Sequence, residues 1–235
     1  LYKGDNMFTI NDFKVELKNP EEVKNFVKRH GEFSKVCYDT PKEKAEKVGE
    51  HCLESGHLSG SRHLYMVFEI KNVPRSAVDQ LVRHTQGFVT NVQSLRYCNK
   101  DGKISLYAAP EIEKDIYLTQ SLHNYEAQAQ AYYDYFQSNL KNNGYTNEQA
   151  NEIARTTIPI GVATECNIAV NLECLMHLAN VRLCNRAELP IRTMVKEMVR
   201  QVVEVEPRYK PFLVPNCKKL GYCPEGNKEC LRYKK

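Results

Sequence analysis

The sequence predicts an α+β fold, a central and mostly antiparallel sheet flanked by helices within a single domain. Three observations point there. His63 to Ile70 alternates so that Leu64, Met66, Phe68 and Ile70 share one face of a half-buried strand. Asn99 to Lys103 (NKDGK) is a turn sequence between two extended stretches, the signature of a hairpin. Helical periodicity surrounds both, most clearly where Ile191, Met194, Val195, Met198, Val199, Val202 and Val203 line one side of a helix. A chain of 235 residues is long enough to close one such domain around a real core.

In order along the chain, Phe8 to Leu17 alternates as an edge strand, and Pro20 occupies the first turn of a helix over Glu21 to Arg29. A second helix runs from Pro41 to Glu54 and ends at Ser55-Gly56. The strand at residues 63–70 breaks at Val73-Pro74, after which Ser76 caps a helix with Val78, Leu81 and Val82 buried. Phe88 to Tyr97 is extended, and the turn at 99–103 leads to Ile104 to Tyr107. Glu111 to Leu140 is helical, with Tyr125, Tyr132, Tyr133 and Phe136 near helical spacing. Such an aromatic stripe serves a core or subunit interface more often than it stacks a base. Thr146 caps Asn147 to Arg155, and Asn171 caps a helix carrying Leu172, Leu175, Met176, Leu178 and Ala179 on its apolar face. No internal repeat or low-complexity segment interrupts this order.

Lys and Arg number 33 against 29 Asp and Glu, a net charge of +4. That balance suits small anionic ligands and gives no clustered basic face for nucleic acid. Nine cysteines, odd in number and scattered, fit thiols in a reducing cytosol. No apolar run approaches the length of a membrane span, so the expectation is a soluble, cytoplasmic protein without membrane or nucleic-acid partners. LYKGDN at residues 1–6 reads as a remnant ahead of a natural start at Met7.

The stretch QLVRHTQGFVTNVQSLRY, Gln80 to Tyr97, sets two arginines, a histidine and several amides behind a short apolar helix. Arg83 and Arg96 offer planar donor forks for phosphate or carboxylate. His84, Asn91, Gln93 and Ser94 add neutral groups that can read a heterocycle. A surface salt-bridge cluster is the plainer alternative, but surface arginines rarely come interleaved with Ser, Asn and Gln in this way. Arg155 and Arg182, taken alone, could equally be solvated helix arginines, and His177 an ordinary helix histidine.

These residues resemble the flavin-dependent thymidylate synthases (the ThyX family). Arg83-His84-Thr85, eight residues, then Ser94 and Leu95-Arg96-Tyr97 are similar to its RHR, spacer, S-x-R-Y signature. GHLSGSRHLYMVFEI, Ala154-Arg155 with Ile158-Pro159, the stretch from Asn171 to Ala187, and a Cys-Pro-Glu-Gly tail follow in the family's order. The resemblance implies a family domain over residues 7–214, a Cys-containing tail over 215–235, and a homotetramer whose active sites are built at subunit interfaces. It implies reductive methylation of dUMP to dTMP, with carbon from methylenetetrahydrofolate and hydride from FAD reduced by NADPH. Gln80, Arg83, Gln93, Ser94, Leu95, Arg96, Arg155 and Arg182 are then the dUMP ligands. His57, Ser59, Arg83, His84, Thr85, Gln86, Asn91, Asn171 and His177 are the FAD ligands. Arg182, beside the uracil, and Ser94, on the phosphate, are the catalytic candidates, and no metal is expected. Another one-carbon transfer on a pyrimidine nucleotide, or nucleotide binding without catalysis, are the alternatives.

The sequence departs from the family pattern at Thr85, where the second Arg of RHR stands, and at Glu173, where N-x-R has Arg. Arg62 replaces a commonly acidic residue. Two cations are lost near the flavin's pyrophosphate, and Arg62 and Arg186 are the candidates to compensate. Cys98 is not read as a nucleophile, since no neighbour would lower its pKa. Cys217, Cys223 and Cys230 lack the paired C-x-x-C of common zinc sites and read as structural or free thiols.

Overall fold

The computed structural model describes residues 7–37, 41–100 and 102–230. Its strands are β1 (Lys14–Leu17), β2 (Tyr65–Pro74), β3 (Phe88–Val92) and β4 (Ala163–Asn171), hydrogen-bonded in the order β1-β2-β4-β3. The helices are α1 (Pro20–Val23), α2 (Phe26–Ser34), α3 (Ala45–Glu54), α4 (Arg75–Leu81), α5 (Pro110–Glu113), α6 (Ile116–Asn142), α7 (Asn147–Ala154), α8 (Leu172–Arg182), α9 (Leu189–Val205) and α10 (Asn216–Leu220). This is the expected mixture of helices and antiparallel sheet. No helix among the described residues is long and apolar enough to cross a membrane.

The chain divides into two compact units. The first holds the described parts of residues 1–14, 70–80 and 91–166; the second holds 15–69, 81–90 and 167–235. In the first, Ile104, Leu106, Tyr133, Ala154 and Val162 form a core against which Leu122 and Ile158 pack. Tyr133 is buried there, whereas Tyr125, Tyr132 and Phe136 of α6 are exposed, so the aromatic stripe divides between core and surface. In the second, α8 contributes Leu172, Leu175, Leu178 and Ala179, and α9 contributes Ile191, Met194, Val195, Met198 and Val202. Met176, Val199 and Val203 are only half-buried. The Gln201 side chain of α9 accepts from Leu17 N at 2.7 Å and donates to Val15 O at 2.6 Å, satisfying edge-strand groups that would otherwise invite further pairing.

Several elements differ from the sequence reading. The strand over residues 8–17 shrinks to β1, because Thr9 and Asp12 form a reciprocal capping box around a 3-10 turn at Ile10–Asp12. The helix over 21–29 divides into α1 and α2 where the Asn25 amide donates to the Glu21 carbonyl. The helix over 41–54 begins with a 3-10 turn, Lys42–Lys44, before α3. Ser76 does not cap α4; the helix starts at Arg75, and the N–H groups of Arg75 and Ser76 donate to the Val162 and Ile160 carbonyls. Nor does the turn after Asn99, of which residue 101 lies outside the described residues, make the expected hairpin. Leu106 bridges antiparallel to Val162 and Tyr107 parallel to Phe8, while β3 lies beside β4. The remnant reading of residues 1–6 also lies outside the described residues.

Helices α2 and α3 cross at glycine. A Cβ on Gly31 would lie 1.7 Å from Ala45 O, and one on Gly49 would lie 1.9 Å from Val27 O. Gly31→Ala is therefore expected to force the helices apart and lower unfolding free energy by about 2–4 kcal/mol, read as a reduced urea midpoint.

Candidate active site

Asn171 organises the site in the second unit. Its Oδ1 accepts from Cys174 N at 3.0 Å and caps α8, while its own N–H donates to Gly87 O at 3.0 Å. Gly87 has φ +66, and a Cβ there would meet the Asn171 carboxamide at 2.3 Å, so the turn that follows α4 comes as near α8 as backbone can. That turn carries Arg83, His84, Thr85 and Gln86, and His84 and Gly87 are its less exposed members.

Arg182, at the far end of α8, donates from Nε to His84 Nε2 at 3.1 Å, and the His177 ring lies 5.1 Å from the His84 ring. Accepting at Nε2 requires a neutral His84 with its proton on Nδ1. Burial and the positive charges of Arg182, His177 and Arg83 push the His84 pKa down to about 4. Burial and the nearby Arg83 also lower that of Arg182, with Glu188 opposing. Cations gathered this closely make a site for an anion.

The two substitutions at Arg62 and Glu173 answer one another. Arg62 Nε and Nη2 donate to Glu173 Oε2 and Oε1 at 2.7 and 3.1 Å, a bidentate pair that neutralises the carboxylate in the first turn of α8. Arg62 thus pairs with Glu173, and Arg186 pairs with Glu225 at 2.5 Å. His57 and Ser59 are exposed, and the His57 carbonyl accepts from His30 Nε2 at 2.9 Å.

In the first unit, Ser94 to Tyr97 follows β3 as a polar turn. The Ser94 hydroxyl accepts from Arg96 N at 3.2 Å, and no general base among the described residues pairs with it. Asn151 of α7 donates to Arg96 O at 3.0 Å and accepts from Gln137, fixing the turn against buried polar groups. Arg96 Nε lies 3.0 Å from Glu152 Oε2, and its guanidinium stands 5.5 Å from the Tyr97 ring centroid. Arg155 follows α7 directly and is exposed; Gln80 and Leu95 are half-buried, and Asn91 is exposed. In Gln93, Oε1 accepts from Lys100 Nζ at 2.8 Å and the backbone carbonyl from Arg75 at 3.1 Å.

Lys100 is the residue that sequence reasoning missed. Only 9% exposed, it lines a polar cavity of about 370 Å³ with Gln93, Lys103, Thr164 and Glu165, and burial lowers its pKa. A lone lysine inside a turn sequence gives no warning of burial.

The predicted ligands thus fall into two groups. All the predicted flavin ligands except Asn91 belong to the second unit, and all the predicted dUMP ligands except Arg83 and Arg182 belong to the first. Both groups are rich in arginine forks and neutral hydrogen-bonding side chains, chemistry that suits anionic ligands. The model of the Thymidylate synthase complementing protein family matches residues 22–208. A flavin-dependent thymidylate synthase of Nitratidesulfovibrio vulgaris is 33% identical over 183 residues, covering 77% of this chain and 74% of the relative. One from Clostridium tetani is 30% identical over 234 residues, covering 92% and 93%. Among solved structures, the UMP/dUMP methylase PolB from Streptomyces cacaoi, bound with 5-Br UMP, aligns with a TM-score of 0.64 at 18% identity. It covers 88% of this chain and 97% of that one and shares the fold. The chain belongs to the flavin-dependent thymidylate synthase family.

With its pKa at about 4, His84 stays neutral across physiological pH. A depressed histidine releases its proton on folding, so its contribution makes stability fall as pH drops from about 6.5 to 4 and leaves it unchanged above that range. NMR titration is expected to show no His84 ionisation at neutral pH; a midpoint near 6.5 would remove the basis for its acceptor role.

Proposed function

We propose that this chain catalyses the reductive methylation of dUMP to dTMP, taking carbon from methylenetetrahydrofolate, with FAD as its flavin and NADPH as reductant. It acts as a homotetramer with active sites built at subunit interfaces. The observation that carries the reading is the cluster in which Arg83 and Arg182 gather about neutral His84 with His177 beside it, held by the Asn171 junction on a chain that belongs to the family. The donor set fits FAD: Arg83 supplies charge for the pyrophosphate, and His57, Ser59, His84, Thr85, Gln86, Asn91, Asn171 and His177 supply hydrogen-bonding groups. Glu173, a carboxylate of the wrong sign for this purpose, is neutralised by Arg62. When bound, the flavin supplies the hydride.

The protein's own groups do the rest. Arg182 keeps a guanidinium against the uracil, where charge develops on the ring as C5 attacks the one-carbon unit. Neutral His84 holds Arg182 in that orientation without adding a competing charge. Ser94, Leu95 through its backbone N–H, Arg96, Arg155 and Gln80 take the phosphate, and Gln93, its Oε1 held by Lys100 Nζ, offers its Nε2 amide to the substrate. Arg96 must exchange Glu152 for phosphate. Both side chains of that pair are 46% exposed, and such pairs contribute only about 0–1 kcal/mol, less than the roughly 1.5–3 kcal/mol of a charged hydrogen bond to a dianion. The exchange runs towards substrate.

Incubation with dUMP, FAD, NADPH and methylenetetrahydrofolate, with dCMP as control, is expected to give dTMP from dUMP alone on chromatography. Absence of dTMP from flavin-loaded protein would overturn the assignment. Arg96→Ala should weaken dUMP binding by about 1.5–3 kcal/mol in calorimetry, whereas Glu152→Ala should leave it equal or tighter. Arg182→Ala should lower the turnover number by about 10²-fold, as for loss of a donor that acts on developing charge.

A further inference from the structure

The four cysteines Cys184, Cys217, Cys223 and Cys230 line one cavity of about 110 Å³ in the second unit. Sequence spacing supplied only three of them, in the tail; the fourth, Cys184, comes from just beyond the C-terminal end of α8, two residues after Arg182. We infer that this cavity is a structural zinc site with four thiolate ligands.

The tail is arranged around its sulfurs. From Lys218 to Cys230 every residue is exposed except Cys223 and Cys230, so this stretch has no apolar core of its own. A segment that buries almost nothing but thiols needs a staple to hold one conformation. Its backbone already turns at the cysteines: Gly226 N donates to Cys223 O, and Cys230 N to Asn227 O. Asn185 donates from Nδ2 to Cys230 Sγ at 3.4 Å, the kind of N–H···S contact that supports a metal-bound thiolate. Arg192, which donates to Asn185 O at 2.8 Å, brings positive charge beside a centre that would carry a net negative one, while Arg186 offsets the carboxylate of Glu225 at the cavity wall.

All nine cysteines are thiols. Four soft sulfur donors select Zn²⁺ in a closed tetrahedral structural site, and the absence of an open ligand position separates such a site from catalytic zinc. Among the described residues, no three His, Cys, Asp or Glu side chains already stand at ligating distance from a common point. Ligation therefore requires the thiols to change rotamer about Cα–Cβ, and each already borders the cavity into which it would turn. The consequence for the active site is direct. Zinc there would fasten the tail to the end of α8 that presents Arg182.

The test is elemental analysis of this chain, purified without chelator from zinc-supplemented cells, beside Cys223→Ser and Cys230→Ser. Both substitutions lie in the solvated tail and spare the core. About one zinc per chain is expected in the parent and a loss of it in each variant. Hydrogen exchange at the Leu183 amide is expected to quicken when zinc is stripped. A parent without zinc, zinc retained in both variants, or iron in its place would each overturn the inference.

Discussion

The second unit depends on one junction, where the Asn171 side chain caps α8 while its backbone N–H reaches Gly87. Both ends of α8 acquire their roles from it. At the N-terminus the cap satisfies the Cys174 N–H, and Glu173 of the same first turn pairs with Arg62. At the C-terminus, eleven residues on, Arg182 meets His84 because the turn bearing His84 is fixed to the helix's beginning. Any residue larger than glycine at position 87 would strike Asn171 and separate the two.

The first unit solves a different problem, that of holding a polar turn still. Asn151 donates to Arg96 O and Tyr133 accepts from Lys100 N, and buried polar groups of that kind are costly to leave unsatisfied. Rigidity at residues 94–97 therefore comes from α6 and α7, while the arginine itself sits in a weak, exposed pair. A site that must release and regain a doubly charged ligand is served by that combination: the backbone donors are preorganised, and the guanidinium is cheaply freed.

Much of this was legible in the sequence. The buried face of β2, the Asn171 cap, the apolar face of α9 and the delivery of Arg83 and His84 at the end of α4 all follow from local periodicity and capping chemistry. Long-range choices were not legible. Nothing local says that residues 104–107 bridge to Phe8 and Val162 instead of β3, because both pairings satisfy the same alternation. That the side-chain oxygen of Gln93 accepts from a buried lysine was equally invisible, because nothing local marks Lys100 for burial. Arg62 and Glu173 read as two separate losses because they stand 111 residues apart, yet in space they are one ion pair.

The most direct measurement of the central claim is the visible absorbance of the purified protein with FAD under anaerobic conditions, recorded as NADPH and then dUMP are added. A second unit organised as described should bind FAD and bleach with NADPH in a manner that depends on dUMP. Protein that remains colourless after FAD is supplied, while still binding dUMP, would contradict it.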